Sequence, residues 1–387
     1  MHNENETRAL EGLAFWLAEQ SGLALPDLHQ AYCRQLLARG LPVWRSSLGL
    51  EMLHPEQSGQ QSIWTQESSV TSDAYHGVEF TAGYLSSPVR VIDETERPYR
   101  RRLNEPAPDM PLLEEIRALG ATDYVIWPMP FLDRTRSAFL SFATREPGGF
   151  NDGDLEGLRR AANLFSPYAE RRALRRIAVD LLDTYVGRHA GERIFSGQIR
   201  RGAVDTIQAA ILMCDMRGYT ALSSRAEQDE VVATLDDWFA RIEAAVDQQG
   251  GEILKFIGDG VLTIFRADPD AADACRRAHH AARNVAVALD GFKAAGSSSS
   301  QPVVGFAMGL HVGEVAYGNV GGRRRLDFTV LGTAVNYASR LQDLAKRIGR
   351  PALVSGDFAA CISEPLVDLG THALRGITGA GRVFALP

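Results

Sequence analysis

The sequence predicts an α+β protein that has two domains and a long helix between them. Residues 1–150 alternate helix-like and strand-like stretches, residues 151–200 are helical in pattern, and residues 201–387 alternate strands with amphipathic helices. A chain of 387 residues is long enough for two or three domains that each bury a core. We therefore expect an N-terminal domain, a helical linker and a C-terminal domain with these three ranges.

Composition and charge exclude several classes of protein. With 45% hydrophobic and 23% charged residues, the chain has the composition of an ordinary globular protein. Its net charge of −7 disfavours general binding of nucleic acid, which requires a positive field. No apolar run approaches the ~18 residues of a membrane span, and the N-terminus MHNENETRAL lacks the features of a signal peptide. We expect a cytoplasmic protein without a nucleic-acid or membrane partner.

The cysteines are scattered along the chain and have no CxxC spacing. This pattern predicts reduced thiols rather than a disulfide framework or a zinc site. The four positions are Cys33, Cys214, Cys275 and Cys361.

The N-terminal domain has helices at both ends of a set of strands, which is typical of an α+β sensor module. Its first helix places Leu10, Leu13, Ala14 and Leu17 on one face. The arrangement resembles a GAF domain, and no motif identifies a ligand for it. The expected elements are helices at 6–20, 27–39 and 112–119, strands at 42–53, 76–92, 123–129 and 137–144, a polar loop between the first two strands, and a turn at Asp133-Arg134.

Helical spacing then continues for about 35 residues from Asp152. Pro167 is expected to break or kink this helix. Narrow apolar stripes flanked by charges predict a parallel two-stranded coiled coil; for the first stripe, packing on the N-terminal domain is an equal alternative. A connector rich in Gly and charge follows at 187–201. The stripes are Leu155, Leu158, Ala162 and Phe165, and then Leu174, Ala178, Leu181 and Tyr185.

The C-terminal domain has the element order β-α-β-β-α-β-β-α-β. This order predicts a ferredoxin-like α/β core with its helices over one face of the sheet. The expected elements are a strand at 206–214, a helix at 226–249, a hairpin at 251–265, a helix at 271–289, a flexible loop at 297–300, strands at 302–311 and 325–331, a helix at 333–347 and short closing strands.

The hairpin at 251–265, GEILKFIGDGVLTIF, carries two charges that a purely structural ribbon does not need. Asp259 lies in its Gly-flanked turn and Lys255 within its first strand, while Asp215 ends the preceding apolar strand. Two carboxylates at the ends of neighbouring strands can share Mg²⁺ ions, and two such ions can promote an in-line displacement. Either aspartate alone could equally be a helix cap or a turn residue. Together with Lys255 they favour a metal site.

Asn336 and Arg340 stand at i and i+4 on one helix, away from its apolar face. An amide and a guanidinium can orient a ribose and stabilise charge on a phosphoryl oxygen. A solvated polar face would have the same pattern. The run 323–325, three arginines on a hairpin, is better explained as a solvated tip or a dimer contact than as a nucleic-acid site.

Several spaced motifs resemble the catalytic domain of class III nucleotidyl cyclases over about residues 203–386. The resemblance implies a head-to-tail homodimer with two active sites at its interface. It also implies two Mg²⁺ or Mn²⁺ ions per site, held by Asp215, Asp259 and the Met216 carbonyl. The motifs are ILMCDMRGYTALSS, GGEILKFIGDGVLTIF, GLHVGEVAYGNVG and RLDFTVLGTAVNYASRL.

The same resemblance assigns roles in substrate binding. Lys255 and Thr329 match the pair that reads the adenine of ATP, where many members have Asp in place of the threonine; threonine there resembles the class IIIb subgroup. Asn336 would position the ribose and Arg340 would stabilise the transition state. Arg375 falls where members place a cation for the terminal phosphates.

These positions imply an adenylate cyclase, a phosphorus–oxygen lyase that converts ATP to 3′,5′-cyclic AMP and pyrophosphate. Lys255 favours ATP, because a guanylate cyclase more typically pairs Glu with Cys at the two base-reading positions. The alternatives are a guanylate cyclase and a catalytically inactive pseudo-cyclase that binds nucleotide. The N-terminal domain would be a sensor for an unknown ligand, coupled to the cyclase through the helical linker.

Overall fold

The computed structural model describes residues 12–55, 57–132, 137–293, 304–377 and 379–387. The chain divides into two compact units, Met1–Thr184 and Tyr185–Pro387. Within the described ranges, no helix is both long and apolar enough to cross a membrane.

The first unit is built on a six-stranded antiparallel sheet with the order β3-β2-β1-β6-β5-β4. Helices precede, interrupt and follow the strands, as an α+β domain requires. The helices are α1 (12–19), α2 (Leu25–Ala38), α3 (Ala82–Leu85), α4 (Pro88–Thr95), α5 (Pro111–Ala118) and α6 (Asp152–Val186). The strands are β1 (Arg45–Glu51), β2 (Gln57–Thr65), β3 (Ser69–Tyr75), β4 (Tyr99–Arg102), β5 (Asp123–Pro128) and β6 (Ala138–Thr144).

Both faces of this sheet are covered. On one face, α1, α2 and α6 bury an apolar cluster in which the Tyr32 and Phe165 rings stack at 4.3 Å between centroids. On the other face, α4 and α5 pack Ile92 and Ile116 against Tyr124. The prediction of an α+β module is confirmed, and its likeness to a GAF domain stays a prediction.

Two expected segments of this unit are wrong. The polar stretch expected to be a loop forms β2 and β3. The strand β3 lies at the edge of the sheet, where polar side chains are tolerated, and is exposed along nearly its whole length; β2 pairs with both β3 and β1. The stretch 76–92, expected to be a strand, is mostly helical. Ser87 caps α4 by accepting a hydrogen bond from the Arg90 amide at 3.3 Å, and Pro88 follows in the first turn. The turn at Asp133-Arg134 lies outside the described residues.

The helix α6 runs for 35 residues and continues through Pro167, so the proline does not break it. Its first stripe, including Leu158 and Phe165, is buried in the core of the first unit. That packing is one of the two alternatives left open by the sequence. In the second stripe, Leu174 and Tyr185 are exposed, and the coiled coil there stays a prediction.

The second unit contains an eight-stranded sheet and six helices among the described residues. Its helices are α7 (Arg188–Phe195), α8 (Tyr219–Ser223), α9 (Gln228–Asp247), α10 (Ala271–Ala288), α11 (Thr333–Ile348) and α12 (Gly356–Ala359). Its strands are β7 (Val204–Arg217), β8 (Glu252–Ile257), β9 (Gly260–Arg266), β10 (Gly305–Gly321), β11 (Leu326–Leu331), β12 (Ala352–Ser355), β13 (Val367–Ala373) and β14 (Ala380–Ala385).

The central strands of this sheet have the order β10-β7-β9-β8. In a β-α-β-β-α-β chain this is the fourth, first, third and second strand, which is the ferredoxin-like arrangement that the sequence predicts. The expectation that all helices cover one face is wrong. Leu212 of β7 packs beneath α9 and α10, whereas Ile211 packs on the opposite face, beneath α11.

The connector expected at 187–201 is also partly helical. It contains α7, which buries Ala190 against Ile211 and Phe328 in the core of the second unit. The glycines and charged residues of this segment obscure the amphipathic pattern of α7 in the sequence. The loop expected at 297–300 lies outside the described residues.

Candidate functional site

Asp215 and Asp259 are brought together by the pairing of β7 with β9. The register places Cys214 opposite Val261, so the turn between β8 and β9 lies beside Asp215. A Cβ on Gly260 would lie 3.4 Å from the Cys214 carbonyl oxygen and 3.9 Å from Asp215 Cγ. Gly260 therefore keeps this approach close, and Gly258 supplies the positive φ of +63° that the turn requires.

The turn is also anchored from the helical layer. The indole Nε1 of Trp238 donates a hydrogen bond to the backbone oxygen of Asp259 at 3.2 Å. Trp238 is buried in the core and its ring packs edge-on against Phe292. The position of the Asp259 carboxylate is thus fixed by the core of the domain.

The two carboxylates have opposite electrostatic surroundings. Burial raises the pKa of Asp259 to about 6, and the nearby charge of Asp215 adds to this. Burial also opposes ionisation of Asp215, but its interactions with the Asp259 carboxyl and the Lys346 ammonium outweigh that effect and lower its pKa. Ionising both carboxylates together is therefore costly, and a bound cation would reduce that cost.

Asp215 is held by the face of α11. Its Oδ2 accepts a hydrogen bond from Gln342 Nε2 at 3.0 Å and forms an ion pair with Lys346. Its Oδ1 is buried and has no hydrogen-bond partner among the described residues. A buried carboxylate oxygen without a partner is costly unless a ligand binds it.

These residues fit a hard divalent cation. Asp215 and Asp259 supply carboxylate oxygens, which Mg²⁺ and Mn²⁺ prefer, and Asp215 Oδ1 is without a hydrogen-bond partner among the described residues. The Met216 side chain is buried in the apolar core. Only its backbone carbonyl could join the metal ligands.

Lys255 of β8 and Thr329 of β11 belong to a second cluster, and their strands approach each other without pairing. Lys255 forms an ion pair with Asp327, two residues before Thr329 on β11. Because side chains alternate along a strand, Asp327 and Thr329 point to the same side. Thr329 is buried, and it lies opposite Gly318 where β11 pairs with β10.

The helix α11 presents Asn336 and Arg340. Asn336 is exposed, and Arg340 Nη1 forms an ion pair with Asp343 Oδ2 at 3.0 Å. The helix lies unusually close to β10, because Gly309 has no side chain: a Cβ there would overlap the Ala338 carbonyl oxygen and the Gln342 amide. The glycines of the GLHVGEV motif thus set the depth at which α11 sits.

The chain therefore supplies two clusters rather than one complete site. Asp215 and Asp259 lie with Gln342 and Lys346, and Lys255 and Thr329 lie with Asp327. Arg340 pairs with Asp343, and Arg375 is exposed in the turn after β13. No hydrogen bond or ion pair within the described ranges joins these groups.

Sequence reasoning missed three partners of the predicted site residues: Gln342 and Lys346, which hold Asp215, and Asp327, which pairs with Lys255. The signal for two of them was present: Gln342 and Lys346 stand at i and i+4 on α11. It was not distinctive, because a solvated helix face has the same spacing. Asp327 lies two residues before Thr329 and so on the same side of the strand. An ordinary exposed strand residue would have the same spacing.

Comparison with known proteins places part of the chain in a family. Residues 203–365 match the model for the adenylate and guanylate cyclase catalytic domain. An adenylate cyclase of Anabaena cylindrica is 37% identical over 171 residues, which is 43% of this chain and 33% of that protein. Adenylate cyclase 1 of Rhizobium meliloti is 33% identical over 196 residues, 49% of this chain and 29% of that protein. The chain thus spans about a third of the length of these relatives.

Among solved structures, a bacterial light-regulated adenylyl cyclase matches with a TM-score of 0.47 and 18% identity, covering 65% of this chain and 82% of that one. The family match falls on the second unit, which carries the ferredoxin-like sheet and both clusters. Residues 203–365 therefore resemble the adenylate and guanylate cyclase catalytic domain.

Proposed function

We propose that the protein is an adenylate cyclase that converts ATP to 3′,5′-cyclic AMP and pyrophosphate. The observation that carries the choice of substrate is Lys255, fixed by Asp327 on the same side of β11 as Thr329. An ammonium group only donates hydrogen bonds, and the N1 atom of adenine accepts them. The threonine hydroxyl can accept from the adenine amino group.

Guanine fits this pair less well. Its N1–H and amino groups are donors, so they require an acceptor such as a carboxylate at the position of Lys255. A donor facing donors leaves buried polar groups unpaired, which can cost a substrate several orders of magnitude in specificity. This supports ATP over GTP.

We further propose that two chains assemble head to tail and complete two active sites. The carboxylate cluster of one chain would face the base-reading cluster of its partner. This agrees with the finding that no hydrogen bond or ion pair among the described residues joins the two clusters within one chain. Asn336 would orient the ribose, Arg340 would stabilise charge on the reacting phosphoryl group, and Arg375 would bind the terminal phosphates. Asp215, Asp259 and the Met216 carbonyl would hold two Mg²⁺ or Mn²⁺ ions. Such ions would lower the pKa of the ribose 3′-hydroxyl and neutralise the charge of the phosphates.

The first unit would be a regulatory sensor that acts through α6. Each proposed site is shared between chains, so a small rotation of paired helices would change both sites together. The exposed Leu174 and Tyr185 on the second stripe of α6 offer an apolar seam for such pairing. The ligand of the sensor is unknown.

The full-length protein, incubated separately with ATP and with GTP in the presence of Mn²⁺, tests the proposal. We expect cyclic AMP from ATP, much less cyclic GMP from GTP, and neither from an Asp259→Asn variant. Cyclic GMP as the main product would identify a guanylate cyclase. Nucleotide binding without either product would identify an inactive nucleotide-binding protein and overturn the assignment.

A further inference from the structure

A cluster of potential metal ligands lies away from the cyclase motifs. His279 and His280 of α10 meet Glu364, which follows α12, and one ligand atom from each lies within 4.8 Å of the others. The shortest separations are 3.6 Å from His280 Nε2 to Glu364 Oε1 and 3.9 Å from His279 Nδ1 to the same oxygen. None of these residues belongs to the carboxylate or base-reading cluster.

His279 is the informative member, since only 1% of its side chain is exposed. Neither ring nitrogen has a hydrogen-bond partner among the described residues. Burying two unpaired polar atoms costs free energy that a surface histidine would not lose. A bound cation would satisfy the nitrogen that faces Glu364.

A simple ion pair explains the cluster less completely. Protonated His280 is half-exposed and could pair with Glu364 at the surface. That pair leaves His279 buried with both nitrogens unsatisfied. Burial lowers the pKa of His279, so its ring is neutral, which is the form that ligates metals.

The spacing of the ligand atoms suits a small transition-metal ion. With bonds of about 2.0–2.1 Å to nitrogen and oxygen, tetrahedral ligands lie roughly 3.3–3.4 Å apart. The observed 3.6 and 3.9 Å need to close by about 0.2–0.6 Å, and the two histidine nitrogens, which lie within 4.8 Å of each other, must also approach. The Arg283 guanidinium, one turn after His279, also acts on His279 and opposes a positive ion, so the carboxylate of Glu364 is essential to the charge balance.

We propose that His279, His280 and Glu364 form a second metal site, which binds a zinc-class divalent cation with water in the remaining position. Two imidazoles and one carboxylate are ligands of this class, in contrast to the all-oxygen cluster of Asp215 and Asp259. The ion ties α10 to the segment after α12 and so stabilises this side of the second unit. The inference does not depend on the cyclase activity.

The test is a zinc titration of the full-length protein in excess Mg²⁺, which occupies hard oxygen sites, with bound zinc measured by equilibrium dialysis. His280→Ala and Glu364→Gln alter partly exposed ligands and spare the buried His279. Because even changes behind a metal ligand weaken binding about 10–100-fold, we expect each variant to lose at least about tenfold in zinc affinity. Zinc should raise the melting temperature of the wild-type protein more than that of either variant.

His189→Ala, which removes an exposed histidine of α7, is the matched control and should bind zinc like the wild type. Equal zinc affinity in the wild type, His280→Ala and Glu364→Gln would overturn the proposed site. An Asp259→Asn variant should bind zinc with wild-type affinity even if it forms no cyclic AMP. The zinc site and the cyclase activity can therefore be disproved separately.

Discussion

The Lys346 ammonium sits against Asp215, where a divalent cation is proposed to bind. It balances the carboxylate charge and therefore competes with a metal. Replacing Lys346 with Met keeps most of the side-chain volume and removes the charge. A partly exposed ion pair is worth up to about 1 kcal/mol, so we expect Mn²⁺ to bind about twofold to fivefold more tightly. A nucleotide-free Mn²⁺ titration measures this.

Arg347→Met removes an exposed charge from the next position on α11 and is the control for this measurement. It should change Mn²⁺ affinity little, because a solvated charge is screened. Equal or weaker Mn²⁺ binding by Lys346→Met would contradict the competition.

Asp327 holds Lys255 in place and is expected to affect base recognition without touching the reacting atoms. In Asp327→Asn the ion pair is lost and the lysine gains freedom. We expect the KM for ATP to rise about fivefold, with a smaller change in kcat and weaker discrimination against GTP. Steady-state kinetics with both nucleotides measures this. Asp368→Asn, which breaks the exposed pair with Arg382, is the control; an equal effect there would point to general electrostatics.

His29 gives the first unit a defined pH dependence. It is fully buried, its ring nitrogens contact Ser62 and Ser46, and burial together with the charge of Arg45 lowers its pKa to about 3. The unfolded chain binds a proton at this residue near pH 6.5, whereas the folded chain does not. Stability is therefore present above pH 6.5 and is lost as the pH falls towards 3.

Between pH 7 and pH 5, His29 should account for a loss of about 2 kcal/mol in the free energy of unfolding. Urea unfolding of the first unit, followed through its tryptophans, measures this for the wild type and His29→Gln. The variant should lose less stability over the same interval, and His76→Gln, at an exposed position, should behave like the wild type. The same slope in all three proteins would show that His29 titrates normally.

At the scale of elements, Gly309 determines how α11 meets β10. A Cβ at this position would overlap backbone atoms of Ala338 and Gln342, which cannot rotate away. Overpacking of this kind costs about 1–3 kcal/mol or more. We expect Gly309→Ala to lower the melting temperature and to reduce cyclase activity, since Asn336 and Arg340 move with the helix.

Gly322→Ala is the matched control for stability. Its added Cβ would meet only the Arg325 backbone oxygen at 3.9 Å, an ordinary contact. Thermal unfolding of both variants separates close packing from a general effect of losing glycine. A Gly309→Ala protein as stable as Gly322→Ala would show that α11 can shift without cost.

The elements also show how far a sequence pattern reaches. The hairpin around Asp259 and the helix carrying Arg340 were predictable, because a Gly-flanked turn and a 3.6-residue apolar period are local signals. The strands β2 and β3 were not, because their polar side chains carry no apolar strand pattern; β3 lies at an edge that only the finished sheet defines, and β2 is paired between β3 and β1. The helix α4 was hidden by β-branched residues that its Ser87 cap and Pro88 override.

The same limit applies to the site. Asp215 and Asp259 were found from strand ends and turn chemistry, which are local. Lys346 and Asp327 act across 131 and 72 residues of sequence, respectively. Nothing local marks such partners, and only the packing of α11 and β11 reveals them. The proposed metal ligands His279 and His280 were concealed similarly, since Glu364 is distant in sequence.

At the scale of the whole molecule, the proposed head-to-tail dimer predicts that activity requires two chains. Asp259→Ala disables the metal half of one site, and Arg340→Ala disables the other half. In a mixed dimer both lesions fall in the same site and leave the second site intact. If subunits exchange freely, half of the dimers are mixed and each has one working site, so an equal mixture should recover about a quarter of wild-type activity.

Cyclic AMP formation by the separate and mixed variants measures this recovery, with exchange confirmed by differently tagged chains. Mixing Asp259→Ala with Asp215→Ala is the control: both lesions lie in the metal half, so each mixed dimer carries one in either site and stays inactive. Recovery in the first mixture and none in the second would establish that each site draws its carboxylates and its arginine from different chains. No recovery in a confirmed mixed dimer would instead require both groups to act within one chain and would overturn the proposed shared site.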